Sequence, residues 1–256
     1  MKHMSLAEIA KACGGSYVGD EGLKSVEVTG VVIDSRKVEP GFLFAAVKGE
    51  RVDGHSFIPA VFAKGAACVL CEDAPEHPAG PYIQVASTLE ALKDLAAYYR
   101  STLTIPVVGI SGSVGKTSTK EMIASILEQH FHVLKTEGNF NNEIGLPLTI
   151  FRIREEHEAA VLEMGISDFG EMTRLARMAK PTVCVLTNIG LCHLENLKTR
   201  DGILKAKTDL LWAGFFSGSL CGACGKSGTG RQPLRLRDKS GPFYRADSDS
   251  GPPHGL

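Results

Sequence analysis

The chain has 256 residues, which allows one large domain or two ordinary ones. Its hydrophobic fraction of 43% is enough for buried cores, and its net charge of -1 argues against a nucleic-acid-binding protein, whose surface is usually strongly basic. No apolar run approaches the roughly 20 residues that a membrane-spanning helix needs. Glu8 and Lys11 interrupt the first segment, where a signal peptide would be continuously apolar. We therefore expect a cytoplasmic protein with no nucleic-acid or membrane partner.

The elements predicted up to residue 101 mix helices with short strands. Helices are predicted over residues 5–12, 57–64 and 89–99, and strands over 26–33, 42–47, 67–70 and 82–85. This part predicts a small mixed α/β domain over residues 1–101.

Two C-x-x-C pairs lie far apart among the seven cysteines. Cys68 and Cys71 fall in an apolar segment that is typical of a buried strand, and Cys221 and Cys224 lie near the end of the chain. We expect core thiols, and neither a zinc site nor a disulfide framework.

From residue 102 onward, strands and helices alternate, which indicates a parallel sheet covered on both faces. Strands are predicted over 107–110, 133–135, 159–163 and 183–187, and helices over 117–130, 171–180 and 203–211. Polar side chains fall at or just after strand ends, where ligands bind in such sheets: Lys116, Glu163, Asn188 and His193. The sequence thus predicts a second, P-loop-type α/β domain over residues 102–211.

The strongest motif is V-V-G-I-S-G-S-V-G-K-T-S-T-K-E, residues 107–121, which reads as strand, glycine loop and helix start. Glycines let backbone N–H groups approach phosphates, and the helix N-terminus attracts their charge. Lys116 supplies a cation for the β- and γ-phosphates, and the Thr117 hydroxyl can ligate Mg²⁺. Ile110 occupies the position of the first glycine of the usual P-loop, so the loop here has the shorter form G-x-x-G-K-T. The residues predicted to bind ATP are Gly112, Ser113, Val114, Gly115, Lys116, Thr117 and Ser118.

This shorter loop resembles that of the Mur ligases, and further segments extend the resemblance over about residues 5–211. The segments that resemble the central domain are 138–149 (G-N-F-N-N-E-I-G-L-P-L-T), 162–165 (L-E-M-G), 187–195 (T-N-I-G-L-C-H-L-E) and 205–209 (K-A-K-T-D). Residues 34–50 and 53–58 resemble the family's UDP-binding domain.

The resemblance implies an ATP-dependent amide ligase of peptidoglycan synthesis. Such an enzyme phosphorylates a substrate carboxylate, and an amine then displaces the phosphate. The two adjacent asparagines of segment 138–149 favour the branch that joins D-alanyl-D-alanine to UDP-N-acetylmuramoyl-tripeptide. The resemblance also implies ATP and Mg²⁺ as cofactors and a monomeric protein.

By resemblance, the catalytic residues are Lys116, Glu163, His193 and Lys207, and the metal ligands are Thr117, Glu163, His193 and Lys207. Histidine is an unusual magnesium ligand, so His193 is expected to act through water. Lys207 matches a lysine that becomes carbamylated in several Mur ligases; the alternatives are its neighbour Lys205 and a solvated helix lysine. For Glu163, the alternative is a helix cap or a surface carboxylate.

Four residues are candidates for substrate binding by resemblance: Ser35, Arg36, Asn139 and Asn142. Arginine suits diphosphate oxygens, but Ser35 and Arg36 also fit a capped turn. The asparagines, including Asn141, either make turns or face the substrate. His55 is expected to shape its loop.

The resemblance stops abruptly at Trp212. Residues 212–256 are rich in Gly, Ser, Pro and Arg, and the N-x-D-D stretch and third domain of Mur ligases do not appear. A disordered tail is one interpretation. Our hypothesis is out-of-frame translation, which would leave the central domain incomplete with an aggregation-prone sheet edge. We then expect weak or no ligase activity from this chain.

Three functions remain open at this point. The first is the D-alanyl-D-alanine ligase. The second is a related ligase, such as a MurE-type enzyme or a folylpolyglutamate synthase; residues 34–58 argue against the folate enzyme. The third is a non-catalytic ATP-binding fragment.

Overall fold

A computed structural model describes residues 1, 3–49 and 52–215. Cys221 and Cys224, and the predicted aberrant tail beyond residue 215, lie outside the described residues. The last described helix, α8 (Arg200–Phe215), is longer at both ends than the predicted 203–211. It therefore continues past Trp212, where the sequence pattern led us to expect no regular structure.

The first sheet is mixed and has the order β1-β5-β4-β3-β2. Its strands are β1 (Ser16–Val18), β2 (Gly30–Val32), β3 (Phe42–Ala45), β4 (Cys68–Cys71) and β5 (Tyr82–Gln84), and its helices are α1 (Leu6–Ala12), α2 (Ile58–Ala63) and α3 (Thr88–Thr102). Strands β2 to β5 are parallel, and β1 runs antiparallel to β5. This arrangement confirms the prediction of a mixed α/β region.

The predicted strand 26–33 is shorter in the structure because its first part has other partners. Val26 ends a 3-10 helix, Glu21–Ser25, and its carbonyl accepts from the Leu6 N–H at 3.1 Å. The Val28 N–H donates to the Met4 carbonyl. Only Gly30–Val32 therefore pairs with β3.

The second sheet has four parallel strands in the order β7-β8-β6-β9. The strands are β6 (Val107–Ser111), β7 (Val133–Lys135), β8 (Ala159–Glu163) and β9 (Val183–Leu186), and the helices are α4 (Lys116–Leu127), α5 (Gly145–Ile150), α6 (Glu171–Ala179), α7 (Leu194–Leu197) and α8. The all-parallel sheet with α4 after the glycine loop confirms the predicted P-loop-type architecture. The sequence reading missed the short helices α5 and α7.

A continuous hydrophobic core includes residues of both sheets, and α3 packs on α5 and α6. Arg100, near the end of α3, is 4% exposed and donates to the carbonyls of Ala179 (2.9 Å), Leu103 (2.8 Å) and Ile105 (3.2 Å). Burial lowers the pKa of Arg100. These bonds hold the end of α3 against α6 and fix the segment that leads into β6. The predicted domain boundary after residue 101 stays a prediction.

Cys68 and Cys71 are fully buried free thiols in β4, which confirms the prediction of core thiols. Burial raises the pKa of Cys71 to about 11 and that of Cys68 higher still, so both are protonated at neutral pH. Within the described part of the chain, no helix has the length and apolar character needed to cross a bilayer.

Candidate active site

The carboxyl ends of β6, β8 and β9 meet at one edge of the second sheet because all three strands are parallel. Residues 112–115, here called the glycine loop, connect β6 to α4. Two of its glycines have left-handed backbone conformations, with φ of 146° at Gly112 and 81° at Gly115. Gly115 is the N-cap of α4, so the first N–H groups of the helix face the loop without intrahelical acceptors.

The segment after β9 holds the glycine loop in place. The Ser113 N–H donates to the Asn188 carbonyl at 3.0 Å, and the Val114 N–H donates to Asn188 Oδ1 at 3.1 Å. The Thr187 hydroxyl donates to the Val114 carbonyl at 2.7 Å. The N–H groups of Ser113 and Val114 are therefore engaged by Asn188, whereas the first N–H groups of α4 have no intrahelical acceptor and can bind a phosphate group.

Lys116 folds back over the glycine loop. Its Nζ donates to the Gly112 carbonyl at 3.0 Å and lies 3.5 Å from the Ser113 carbonyl. The side chain also lines a cleft of about 430 Å³ beside the loop. Within the described ranges no carboxylate pairs with this ammonium group, so it can turn to an anionic ligand that enters the cleft.

Glu163 ends β8 and is 2% exposed. Both oxygens of its carboxylate accept hydrogen bonds, Oε2 from the Thr117 hydroxyl at 3.0 Å and Oε1 from Asn141 Nδ2 at 2.9 Å. Its own N–H donates to Thr136 Oγ1 at 3.0 Å. Glu163 is therefore a partnered, buried carboxylate, and the alternatives of a helix cap and a surface carboxylate do not describe it.

The oxygens of Thr117 and Glu163 form the best candidate for a metal site. Carboxylate and hydroxyl oxygens are hard donors that suit Mg²⁺. Across the described residues, no group of three or more His, Cys, Asp or Glu side chains is arranged to hold a metal. The donor set therefore fits an ion that is bound together with phosphate oxygens and water, as Mg²⁺ in nucleotide sites usually is.

His193 lines the same cleft, together with Lys116 and Asn141. It adopts a left-handed conformation, with φ of 51°, and is the N-cap of α7. In the described part of the chain, its side chain makes no hydrogen bond to Thr117 or Glu163. The structure thus brings His193 to the cleft but not into contact with the predicted metal ligands.

Lys207 is 1% exposed on α8, whereas Lys205 is exposed. Burial lowers the pKa of Lys207; nearby Cys192 and Glu171 oppose this, and the charge of Lys116 adds to it. Its Nζ makes no hydrogen bond to any described residue. Of the two candidate lysines, the structure therefore places Lys207 in the environment that favours a neutral amine.

The asparagines of segment 138–149 lie beside the clefts, with Asn141 and Asn142 lining the one of about 430 Å³, and their role in substrate binding stays a prediction. Asn142, a predicted substrate residue, accepts from the N–H groups of Ile144 (3.2 Å) and Gly145 (2.8 Å) at the start of α5. Asn139 lines a smaller cleft of about 280 Å³ with Asn142. Asn141, which we did not select, is the asparagine that contacts Glu163. No sequence signal distinguishes it from its neighbours.

Ser35 and Arg36 lie in a 3-10 turn after β2, away from the cleft. Asp34 accepts from the Arg36 N–H (3.0 Å), Nε (2.9 Å) and Nη2 (2.8 Å), and these contacts lower the pKa of Asp34 to about 2. The capped turn is thus observed, and a role in UDP binding stays a prediction. His55 bonds Asp53 and the Glu72 N–H, which confirms that it shapes its loop.

Comparison with known proteins places both sheets in one family. Residues 27–100 match the Mur ligase family catalytic domain, and residues 110–215 match the Mur ligase middle domain. The UDP-N-acetylmuramoyl-tripeptide–D-alanyl-D-alanine ligase of Bacillus subtilis is 43% identical over 209 residues, which cover 81% of this chain and 46% of that protein. The chain therefore spans about half the length of the curated relatives it matches.

Solved structures agree with the sequence match. A crystal structure of MurF from Acinetobacter baumannii has a TM-score of 0.76 at 35% identity, covering 82% of this chain and 46% of that one. The structure of MurF from Thermotoga maritima in complex with ADP has a TM-score of 0.67 at 37% identity, with coverage of 73% and 43%.

We expect alanine substitutions at the two left-handed glycines of the loop to differ in their effect on the free energy of unfolding. A Cβ atom at Gly112 would lie 1.9 Å from Thr187 Oγ1, whereas one at Gly115 would meet no atom within 4 Å. We expect Gly112→Ala to lower the free energy of unfolding by about 2 to 5 kcal/mol, from left-handed strain plus overpacking. Gly115→Ala should cost only the strain, about 1 to 2 kcal/mol. Urea unfolding of both variants measures this, and equal losses would contradict the packing of Gly112 against Thr187.

Proposed function

The chain belongs to the Mur ligase family, and we propose on that basis that it provides the nucleotide- and UDP-substrate-binding part of an ATP-dependent amide ligase. The reaction proposed joins D-alanyl-D-alanine to UDP-N-acetylmuramoyl-tripeptide in peptidoglycan synthesis, which is the reaction for which the Bacillus subtilis relative is named. The observation that carries the proposal is the hydrogen bond between Thr117 and the buried Glu163, which joins the start of α4, directly after the glycine loop, to a strand-end carboxylate.

In the proposed reaction, the terminal phosphoryl group of ATP moves to the carboxylate of the tripeptide and gives an acyl phosphate and ADP. The amine of D-alanyl-D-alanine then attacks the acyl carbon, an amide bond forms, and phosphate leaves. Negative charge gathers around the phosphoryl group, so catalysis depends on positioning and on cations. This requirement matches a site that offers a lysine, helix N–H groups and the oxygens of Thr117 and Glu163 at one edge of the second sheet.

Each residue then has a defined task. Lys116 exchanges its contact with the Gly112 carbonyl for the phosphate oxygens. The first N–H groups of α4 bind the phosphates, and Thr117 and Glu163 hold Mg²⁺. When bound, Mg²⁺ supplies positive charge to the phosphate oxygens. His193 would contact such an ion through water, which agrees with its position in the cleft and with the absence, among the described residues, of a hydrogen bond between its side chain and Thr117 or Glu163.

Lys207 is proposed to be carbamylated. The lone pair of a neutral amine attacks the carbon of CO₂, one proton is released, and a carbamate anion remains. Burial of Lys207 supports this step because it lowers the pKa and so increases the neutral fraction at a given pH. The carbamate would add an anionic oxygen ligand near Lys116 and Glu171.

The remaining roles come from the family resemblance, and Asn142 also lines the cleft. We propose that Ser35 and Arg36 lie at the UDP-binding surface and that Asn139 and Asn142 face the substrate. We also propose a cytoplasmic, monomeric enzyme with no nucleic-acid or membrane partner.

The ligase proposal predicts which substrates trigger phosphate release. A chimera is made in which residues 1–211 replace the matching part of the Bacillus subtilis relative, since this chain spans about half of that protein. Phosphate should appear only when ATP, Mg²⁺, UDP-N-acetylmuramoyl-tripeptide and D-alanyl-D-alanine are all present. Release with diaminopimelate and the UDP-dipeptide instead would favour a MurE-type ligase. ATP binding without any release would favour the non-catalytic alternative.

The carbamate proposal predicts a carbamate carbon signal in the ¹³C NMR spectrum of the chain in ¹³C-bicarbonate. The signal should weaken as the pH falls, because protonated amines do not react with CO₂. It should vanish in Lys207→Ala and persist in Lys205→Ala, the exposed lysine on the same helix. A signal that survives in Lys207→Ala would remove the assignment.

A further inference from the structure

Thr136 is a buried residue whose polar atoms connect α4, β7 and β8. It directly follows β7 and is 1% exposed. Its N–H donates to the Val161 carbonyl at 3.1 Å, as in the β7–β8 ladder. Its hydroxyl oxygen accepts from the Glu163 N–H at 3.0 Å, and its carbonyl accepts from Lys120 Nζ at 2.7 Å.

The Thr136 side chain takes the place of the next acceptor in the ladder. A regular parallel ladder would offer the Glu163 N–H a backbone carbonyl of β7. Because the hydroxyl accepts this bond, the backbone is free to leave the sheet after Thr136 and to return at Asn141. Asn141 then contacts the other side of Glu163, through its amide to Oε1 and through its carbonyl, which accepts from the Gly165 N–H at 2.8 Å.

Lys120 fixes the position of Thr136 from the opposite side. It lies one turn of α4 after Thr117 and is 2% exposed, which is rare for a lysine without partners. Its ammonium also pairs with Glu121 Oε1 at 3.0 Å. A single helix therefore carries Thr117, which bonds the Glu163 carboxylate, and Lys120, which anchors the residue that bonds the Glu163 backbone.

We propose that Thr136 and Lys120 are positioning residues that hold the Glu163 carboxylate in place against Thr117. The inference rests on the proposed function, in which Glu163 and Thr117 are ligands of Mg²⁺. Thr136 contacts Glu163 through the bond from the Glu163 N–H, and Lys120 reaches it through its bond to the Thr136 carbonyl, so both act through Glu163. Partners of metal ligands typically change metal affinity by about 10- to 100-fold when they are removed.

The test compares ATP affinity in Mg²⁺ with ATP affinity in EDTA, by calorimetry on the whole 256-residue chain. The gain from Mg²⁺ is the dissociation constant for ATP in EDTA divided by the dissociation constant for ATP in Mg²⁺. Thr136→Val, which keeps the shape and removes the hydroxyl, should reduce this gain by about tenfold, toward the value of Glu163→Gln. Its affinity in EDTA should stay at the wild-type value. Thr136→Ser should restore the gain because it keeps the hydroxyl.

A second comparison tests Lys120 against Lys135, because both lysines pair with Glu121. Lys120→Met should reduce the gain, whereas Lys135→Met should leave it unchanged, because Lys135 also pairs with Glu121 (2.8 Å) but is not buried. A wild-type gain in Thr136→Val, or equal losses with and without Mg²⁺, would overturn the inference. A wild-type chain without any gain from Mg²⁺ would overturn the proposed metal role as well, so the two failures are distinguishable.

Discussion

The buried carboxylate of Glu163 is the constraint on which the site depends. A carboxylate removed from water is costly unless its oxygens are hydrogen-bonded. The fold meets this requirement with Thr117 from α4 and Asn141 from the segment after β7. Both partners reach this strand end because β7 and β6 flank β8 in parallel and α4 directly follows the loop after β6. The geometry that satisfies Glu163 therefore also places a lysine, a hydroxyl and free helix N–H groups at the same edge of the second sheet.

The glycine loop follows from the same arrangement. It must turn sharply between β6 and α4, which requires left-handed conformations at Gly112 and Gly115. It must also pass close to the segment after β9, where Thr187 leaves no room for a side chain at Gly112. Asn188 then engages two N–H groups of the loop, and the donors that remain free lie at the helix start. The segment after β9 thus holds the glycine loop in place, and the segment after β7 contacts the Glu163 carboxylate through Asn141.

Strands were predicted well from the sequence where every residue of the strand is buried. Strand 159–163 matched residue for residue, because an apolar run ended by a single carboxylate has clear limits. Helix α5 is hard to predict because it has only six residues and contains Gly145 and Pro147, which are poor helix formers, although proline is tolerated in the first turn of a helix. The site was harder to predict. Adjacent asparagines look alike in sequence, and only the fold decides that Asn141 contacts Glu163 while Asn142 accepts from the N–H groups of Ile144 and Gly145.

ATP binding to the chain and to Lys116→Ala, measured by calorimetry in Mg²⁺, tests the central claim most directly. Among the residues that the structure describes, the Lys116 ammonium has only the carbonyls of Gly112 and Ser113 as hydrogen-bond partners, so it is available to phosphate oxygens. We predict that the unmodified chain binds ATP, that Lys116→Ala abolishes binding, and that Lys205→Ala, an exposed control, retains it. Unchanged affinity in Lys116→Ala would contradict the assignment of the glycine loop as the phosphate site, and with it the proposed ligase mechanism.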